Sequence, residues 1–107
     1  MSQHLKFNWG LKVKDPLKFE KGKHYWIAKG GYRVFPMSTV IDLLDSNRKI
    51  VGKIIVKKVE VKFLELMDQT DADRCGAPSP SQLAYLLELD YPTEGQLVTF
   101  VYFERIE

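Results

Sequence analysis

Residues 19–31 read FEKGKHYWIAKGG. Lys23, His24, Tyr25, Trp26 and Lys29 crowd into this stretch, and Arg33 stands just beyond the double glycine. Interleaved cations and aromatics suit a single-stranded nucleic acid. The charges track phosphates, and an aromatic face stacks on a base with a gain of ~1–3 kcal/mol. Lys23 could instead act as a nucleophile or base if burial lowered its pKa. That role needs an acidic or hydroxyl partner, which the local sequence does not supply. If the stretch is a strand, Tyr25 and Trp26 point to opposite sides. One of the two is then expected in the core and the other on the face a ligand meets. Tyr32 could be a further cleft residue, although packing under the turn is the more ordinary place for it.

Other reactive residue types are sparse. His4 and His24 are the only histidines and Cys75 the only cysteine, so no pair has metal-ligand spacing and no metal site is expected. His24 could carry a proton near neutral pH, although a lone strand histidine is ordinarily surface or half-buried. Glu65, Asp68, Asp71 and Asp73 lack the spacing and glycine of a calcium loop and are expected to form a solvated turn ahead of a helix. Cys75 beside Arg74 could be somewhat reactive, with no histidine at hand to make it a catalytic nucleophile. Lys57-Lys58 reads as exposed charge or as a second phosphate contact.

The elements that must position these residues fit one domain spanning residues 1–107. Hydrophobic residues make up 45% and charged residues 28%, ordinary for a soluble globular protein. No apolar run approaches the ~20 residues of a membrane span, and MSQHLKFNWG has no signal-peptide core. A single cysteine excludes an internal disulfide, so a reducing, cytoplasmic setting is expected. Net charge is only +2, but it is unevenly spread. Residues 1–33 hold eight basic side chains (Lys6, Lys12, Lys14, Lys18, Lys21, Lys23, Lys29, Arg33) against Asp15 and Glu20, a balance of +6 that leaves −4 for the remainder. Such asymmetry can mark a face for an anionic partner, or lysines scattered in solvent.

HLKFNW alternates as an opening strand. DPLKFEKG reads as a short helix with Asp15 as cap, Pro16 in the first turn and Gly22 just past the end. KHYWIAK favours a strand, broken by Gly30 and Gly31. STVIDLLD is a strand and DSNRK a turn. In KIVGKIIVKKVEVKFLEL, Ile50, Gly52, Ile54 and Val56 share one face. The phase then slips at Lys57-Lys58, so that Val59, Val61 and Phe63 share one. A one-residue slip of that kind is a β-bulge, which bends a strand. LMDQTDADRCGAPS is a polar connection that could hold a helical turn. SPSQLAYLLELDYP is a helix capped by Ser79, with Pro80 first, Gln82 as capping-box partner, and Leu83, Leu86 and Leu87 as its apolar stripe. QLVTFVYFERI, apolar on both faces, reads as a central strand. The total is an α+β domain on a small, bent, largely antiparallel sheet or barrel with two or three short helices.

The order of these signals resembles the ASCH domains of the PUA-like superfamily. Gly22-Lys23 stands where that family has its Gly-Lys strand. Glu65-Leu66, Ala72, Gly76, Ser79, Leu83 and Tyr91-Pro92 follow the family's second segment in order, and the likeness runs from about residue 5 to residue 106. It implies a five- or six-stranded, partly closed β-barrel with flanking helices and a cleft beside the Gly-Lys strand. It further implies RNA or a modified nucleoside as ligand. Some members are similar in sequence yet act as small amidohydrolases on N4-acylcytidine, and one acts as a ribonuclease; the amidohydrolases use a lysine, a threonine and an arginine on that strand plus a later glutamate. Aligned on Gly22, Lys29 takes the arginine's place, His24 the second lysine's and Ile27 the threonine's. Aligned on Val40, Lys23 matches the lysine, Trp26 the threonine and Ala28 the arginine. Neither register supplies all three. Ser38-Thr39 replaces the usual Gly-Asp. Asp71 and Asp73 are candidates for the acid, but Arg74, Cys75 and Gly76 occupy the nearest aligned stretch, so the amidohydrolase constellation is not intact.

The expected function is therefore a nucleic-acid-binding module for RNA or a modified nucleotide, using Lys23, His24, Tyr25, Trp26, Lys29 and Arg33 in a cleft beside residues 22–33. No cofactor, metal or membrane is implied. The alternatives are an amidohydrolase acting through Lys23 and a protein-interaction domain with a degenerate cleft.

Overall fold

Alternation of apolar and polar side chains commits most of the chain to strands, and their pairing makes one mixed sheet. A computed structural model describes residues 9–107. The strands are β1 (Gly10–Lys12), β2 (His24–Gly30), β3 (Val40–Leu44), β4 (Ile50–Phe63) and β5 (Leu97–Arg105), in the spatial order β1-β3-β4-β5-β2. β1 runs parallel to β3, and the other three pairings are antiparallel. Two helices, α1 (Gln69–Arg74) and α2 (Pro80–Leu86), lie between β4 and β5 in the chain. The sheet is not closed by strand pairing among the described residues; β1 and β2 are its two edges. The expected opening strand HLKFNW lies almost wholly outside the described residues.

β4 carries the expected bulge. Its register against β5 shifts between Val56 and Lys58, leaving Lys57 as the extra residue. Before it, Ile54 and Val56 oppose Arg105 and Phe103; after it, Val59, Val61 and Phe63 oppose Val101, Thr99 and Leu97. Both halves of β4 therefore present their apolar set to the same side, as the phase slip in the sequence requires.

Both faces of the sheet are covered. On one side Leu11, Val13, Phe19, Ile41, Leu43, Ile54, Val56, Val101 and Phe103 form a buried cluster joined by Tyr25 and Ile27. On the other, Leu64, Met67, Ala72, Ala77, Leu83, Ala84, Val98 and Phe100 form a second cluster under the helices, joined by Trp26 and Ala28. Strand β5 feeds both, which is why its sequence is apolar on both faces. The expectation that only one face of KHYWIAK is core is corrected here. Tyr25 packs edge-on against Phe19, 4.9 Å between ring centres, while Trp26 lies beside Tyr102 at 5.0 Å on the opposite face.

The helical readings need adjustment. DPLKFEKG makes only a single 3-10 turn, Pro16–Lys18, and Asp15 forms no side-chain cap there. Gly22 does adopt the left-handed φ of +80° that a side chain resists. The polar connection contains α1, a true helix with a reciprocal capping box between Asp68 and Asp71. In α2 the Ser79 hydroxyl accepts the Gln82 backbone N–H at 3.1 Å as expected. Leu83 is buried with Ala84 and Leu87 packs half-buried against the same core, so of the expected stripe only Leu86, 53% exposed, turns outward. Seven residues make too few turns to bury positions on more than one side.

Candidate functional site

Strand geometry divides the six predicted binding residues among different surroundings. Lys23 precedes β2, is exposed, and donates to Glu20 Oε2 at 3.1 Å. That bond and the Glu20 charge raise its pKa above 10.5, the reverse of what a nucleophilic amine needs. His24 and Trp26 point to the helix side, Tyr25 and Lys29 to the other. Arg33 follows in the loop after β2. The six do not share one face.

On the helix side the charges are matched. His24 Nδ1 lies 3.0 Å from the Tyr102 hydroxyl, and its Nε2 lies 3.5 Å from Glu104. Lys57 reaches the same Glu104 at 3.6 Å. Lys58 and Arg74 meet the two oxygens of Glu60 at 3.1 and 2.9 Å. The Arg74 guanidinium also lies over the Trp26 ring, 4.5 Å from its centre, so the flat face that could stack on a base is already occupied. Lys57-Lys58 is thus the bulge, with its charges neutralised within the fold.

The acidic run is not a solvated turn at its centre. Asp71 is 1% exposed and accepts Lys62 Nζ at 2.8 Å and the Asp68 backbone N–H at 3.0 Å. The pair ties α1 to β4. No group of three metal-ligating side chains occurs among the described residues. Cys75 packs against the second core, and burial pushes its thiol up to about 11, so it is a poor nucleophile despite neighbouring Arg74.

The opposite face holds an arrangement of a different kind. Lys29 is half-buried near the end of β2, and its ammonium donates to the backbone carbonyl of Lys12, spanning the gap between the two sheet edges. Burial first, then the charges of Arg33, Lys12 and Lys14, push its pKa down to about 8. Val13 is buried, so Lys12 and Lys14 flank it on the exposed side of the extended chain. Arg33 is pinned by its backbone: its N–H donates to Thr99 Oγ1 at 2.9 Å, and that hydroxyl donates to the Gly31 carbonyl at 2.7 Å. Its Nε donates to the Gly30 carbonyl at 3.1 Å. Lys29 and Arg33 thus lie at the end of β2, and neither has an acidic partner among the described residues. Residues 1–8 contain no Asp or Glu.

Register places apolar surface next to these cations. The core ends at the row Ile27, Val101, Val59, and the next row is Lys29, Thr99, Val61. Beyond it Leu97 pairs with Phe63. Val61 is 39% exposed and Phe63 46%, and both lie on the Lys29 side of the sheet. Val61 stands two strands from Lys29, roughly 10 Å at the usual inter-strand spacing. Tyr32, expected under the turn, is instead 66% exposed beside Arg33. Of the predicted residues, only Lys29 and Arg33 belong to this surface. Val61 and Phe63 were not singled out for binding. The phase slip at Lys57 was the signal that put Val61 and Phe63 on this side, because without it they would face the helices.

No protein family, curated protein or solved structure matches the chain. No helix among the described residues is long and apolar enough to cross a membrane.

Proposed function

We propose that the chain is a binding module for RNA or a modified nucleotide, and that its ligand lies beside Lys29 and Arg33 at the end of β2. The observation that carries this reading is a half-buried lysine, tied to the Lys12 carbonyl next to the anchored backbone of Arg33, with exposed apolar residues on the same side of the sheet. Burial, and after it the neighbouring like charges, lower the pKa of Lys29, and a bound anion offsets both. Exposed Tyr32, Phe63 and Val61 supply apolar surface for a base beside the phosphate contacts. In the same reading the domain is of the ASCH, PUA-like type. A sheet bent at Lys57, with its edges drawn together by the Lys29 contact to Lys12, supports the partly closed barrel that this likeness implies.

The test is anisotropy of a fluorescent single-stranded RNA titrated with protein across a salt series. Contact with about three phosphates gives a log–log slope near −2, since each neutralised phosphate contributes ~0.7 for single strands. Lys29→Met weakens binding and flattens the slope. A salt-independent affinity, or no binding at low salt, overturns the proposal. Unchanged affinity in Lys29→Met and Arg33→Met turns the reading toward a protein-interaction domain. The hydrolase alternative has no activated amine at Lys23. Release of cytidine from N4-acylcytidine by the wild-type protein revives it.

A further inference from the structure

Strand β4 outruns its neighbour β3. The two pair only as far as Ile55, and β3's approach ends where the Ser38 N–H donates to the Val56 carbonyl at 2.9 Å. Beyond the bulge, residues 58–63 pair with β5 on one side and with no strand on the other among the described residues. The parity of the ladder fixes which backbone groups are left open. The Gly31 N–H bonds the Leu97 carbonyl and the Arg105 N–H bonds the Lys23 carbonyl, so the odd-numbered residues of β5 face β2 and the even-numbered ones face β4. The Leu64 N–H accordingly bonds the Gln96 carbonyl. Lys58, Glu60 and Lys62 therefore commit their backbone groups to Tyr102, Phe100 and Val98, and the N–H and C=O of Val59, Val61 and Phe63 point away from β5. Helix α1 does not close this edge. A groove of about 480 Å³ lies between it and Asp68 and Thr70.

An open edge is a template for a further strand, and the side chains along this one match a second copy of the same strand. We infer that the protein self-associates through β4, two copies pairing antiparallel about a two-fold axis at Val61. This is the one register that pairs all three open residues. Val61 meets Val61 of the partner subunit, and Val59 meets the partner's Phe63, each pair exchanging two backbone hydrogen bonds. The intervening pairs carry no such bonds and bring their side chains closer. There Glu60 faces the partner's Lys62 and Lys62 faces the partner's Glu60, so opposite charges stand directly across from each other. Lys62 has two donors left beyond its bond to Asp71. An edge guarded against association carries proline or charges of one sign; residues 58–63 hold no proline and alternate Lys58, Glu60, Lys62. On the other side of the sheet, exposed Val61 and Phe63 gain apolar neighbours across the axis. Pairing occupies the edge and leaves the sheet face beside Lys29 open, so the inference stands apart from the RNA reading.

Analytical ultracentrifugation of the full chain reads the association, and amide hydrogen exchange reads its place. One strand pairing falls short of the ~1,200 Å² of a standard interface. The dimer should therefore be weak, populated at about 200 μM and largely dissociated at about 2 μM. Over that range the amides of Val59, Val61 and Phe63 should become about tenfold better protected, while those of Lys58, Glu60 and Lys62, already bonded to β5, should gain less. Val61→Lys and Val61→Glu each set like charges across the axis and should weaken association at least about tenfold. An equimolar mixture of the two should restore it, because the position faces itself. Leu17→Lys, at a strongly exposed position in the 3-10 turn, should leave association unchanged. Circular dichroism identifies a variant that has failed to fold, and the exchange measurement on the wild type stands without either variant. A wild type that stays monomeric at the higher concentration overturns the inference and leaves the edge to residues 1–8 or to a strand of another protein. Association without added protection at the three amides overturns it, as does a mixture of folded variants that fails to associate.

Discussion

Lys29 and Asp71 are the two side chains whose surroundings most change their chemistry. The groups around Lys29 are the Lys12 carbonyl at the end of β1, the charges of Lys12, Lys14 and of Arg33 in the loop after β2, and Thr99, which pairs with it on β5. Its folded pKa of about 8 lies below the ordinary 10.5. Between those values the unfolded chain binds more protons than the folded one, so this residue makes stability rise with pH across the window. Urea denaturation at pH 7 and pH 9.5 should show wild type gaining stability relative to Lys29→Met; an equal change in both proteins contradicts the placement of Lys29. Ligand affinity should move the other way and weaken as pH passes about 8, because an anion needs the ammonium charged. Asp71 is buried with one strong partner, Lys62, and also caps α1. Asp71→Ala should cost about 2–4 kcal/mol, since it removes the partner of Lys62 and the reciprocal half of the capping box together. A change in urea midpoint equivalent to less than about 0.5 kcal/mol, the range of an indifferent surface change, contradicts that role.

At the level of elements, what was local was readable. The phase slip at Lys57-Lys58 needs only period-two counting along one strand, and the bulge lies where it falls. The same is true of Ser79 capping α2. Deleting Lys57 should therefore prevent folding, because it restores simple alternation and turns Val59, Val61 and Phe63 toward the helices. Lys57→Ala should change stability by no more than about 0.5 kcal/mol, as its pair with Glu104 is partly exposed. Soluble, cooperatively unfolding protein from the deletion would count against the bulge. Asp15 failed as a helix cap for a reason that lies outside its own segment. Phe19, four residues on, is drawn into the core against Tyr25 and Phe103, and the chain there extends rather than coils.

Across the whole molecule, the reading from sequence reached the α+β class, the central place of β5 and the largely antiparallel pairing. It did not reach the two-sided burial of β2, because alternation within KHYWIAK is the same whether one face or both are covered. Nor did it reach the contact of Lys29 with the Lys12 carbonyl, which depends on the path of β1 at the other sheet edge and has no mark in either segment. The platform beyond the core gives a further expectation. Phe63→Ala should leave the urea midpoint nearly unchanged, since the ring is 46% exposed, yet cost about 1 kcal/mol or more in affinity for a base-bearing ligand. Unaltered RNA binding by that variant removes Phe63 from the interface.

Strand β5 follows every other element in the chain, yet it stands between β4 and β2 and sends Val98 and Phe100 into one core and Val101 and Phe103 into the other. During synthesis, β2 leaves the ribosome early and has no neighbour in the sheet until β5 emerges. The β1-β3-β4 portion can pair beforehand, but its apolar face lacks Val101 and Phe103, and the helices lack the Phe100 floor. A nascent chain halted before β5 should therefore remain sensitive to protease and bind chaperones, and become resistant in a single step once β5 has emerged. The domain acquires its structure in one step at that point, because β5 completes both cores and follows the other described elements.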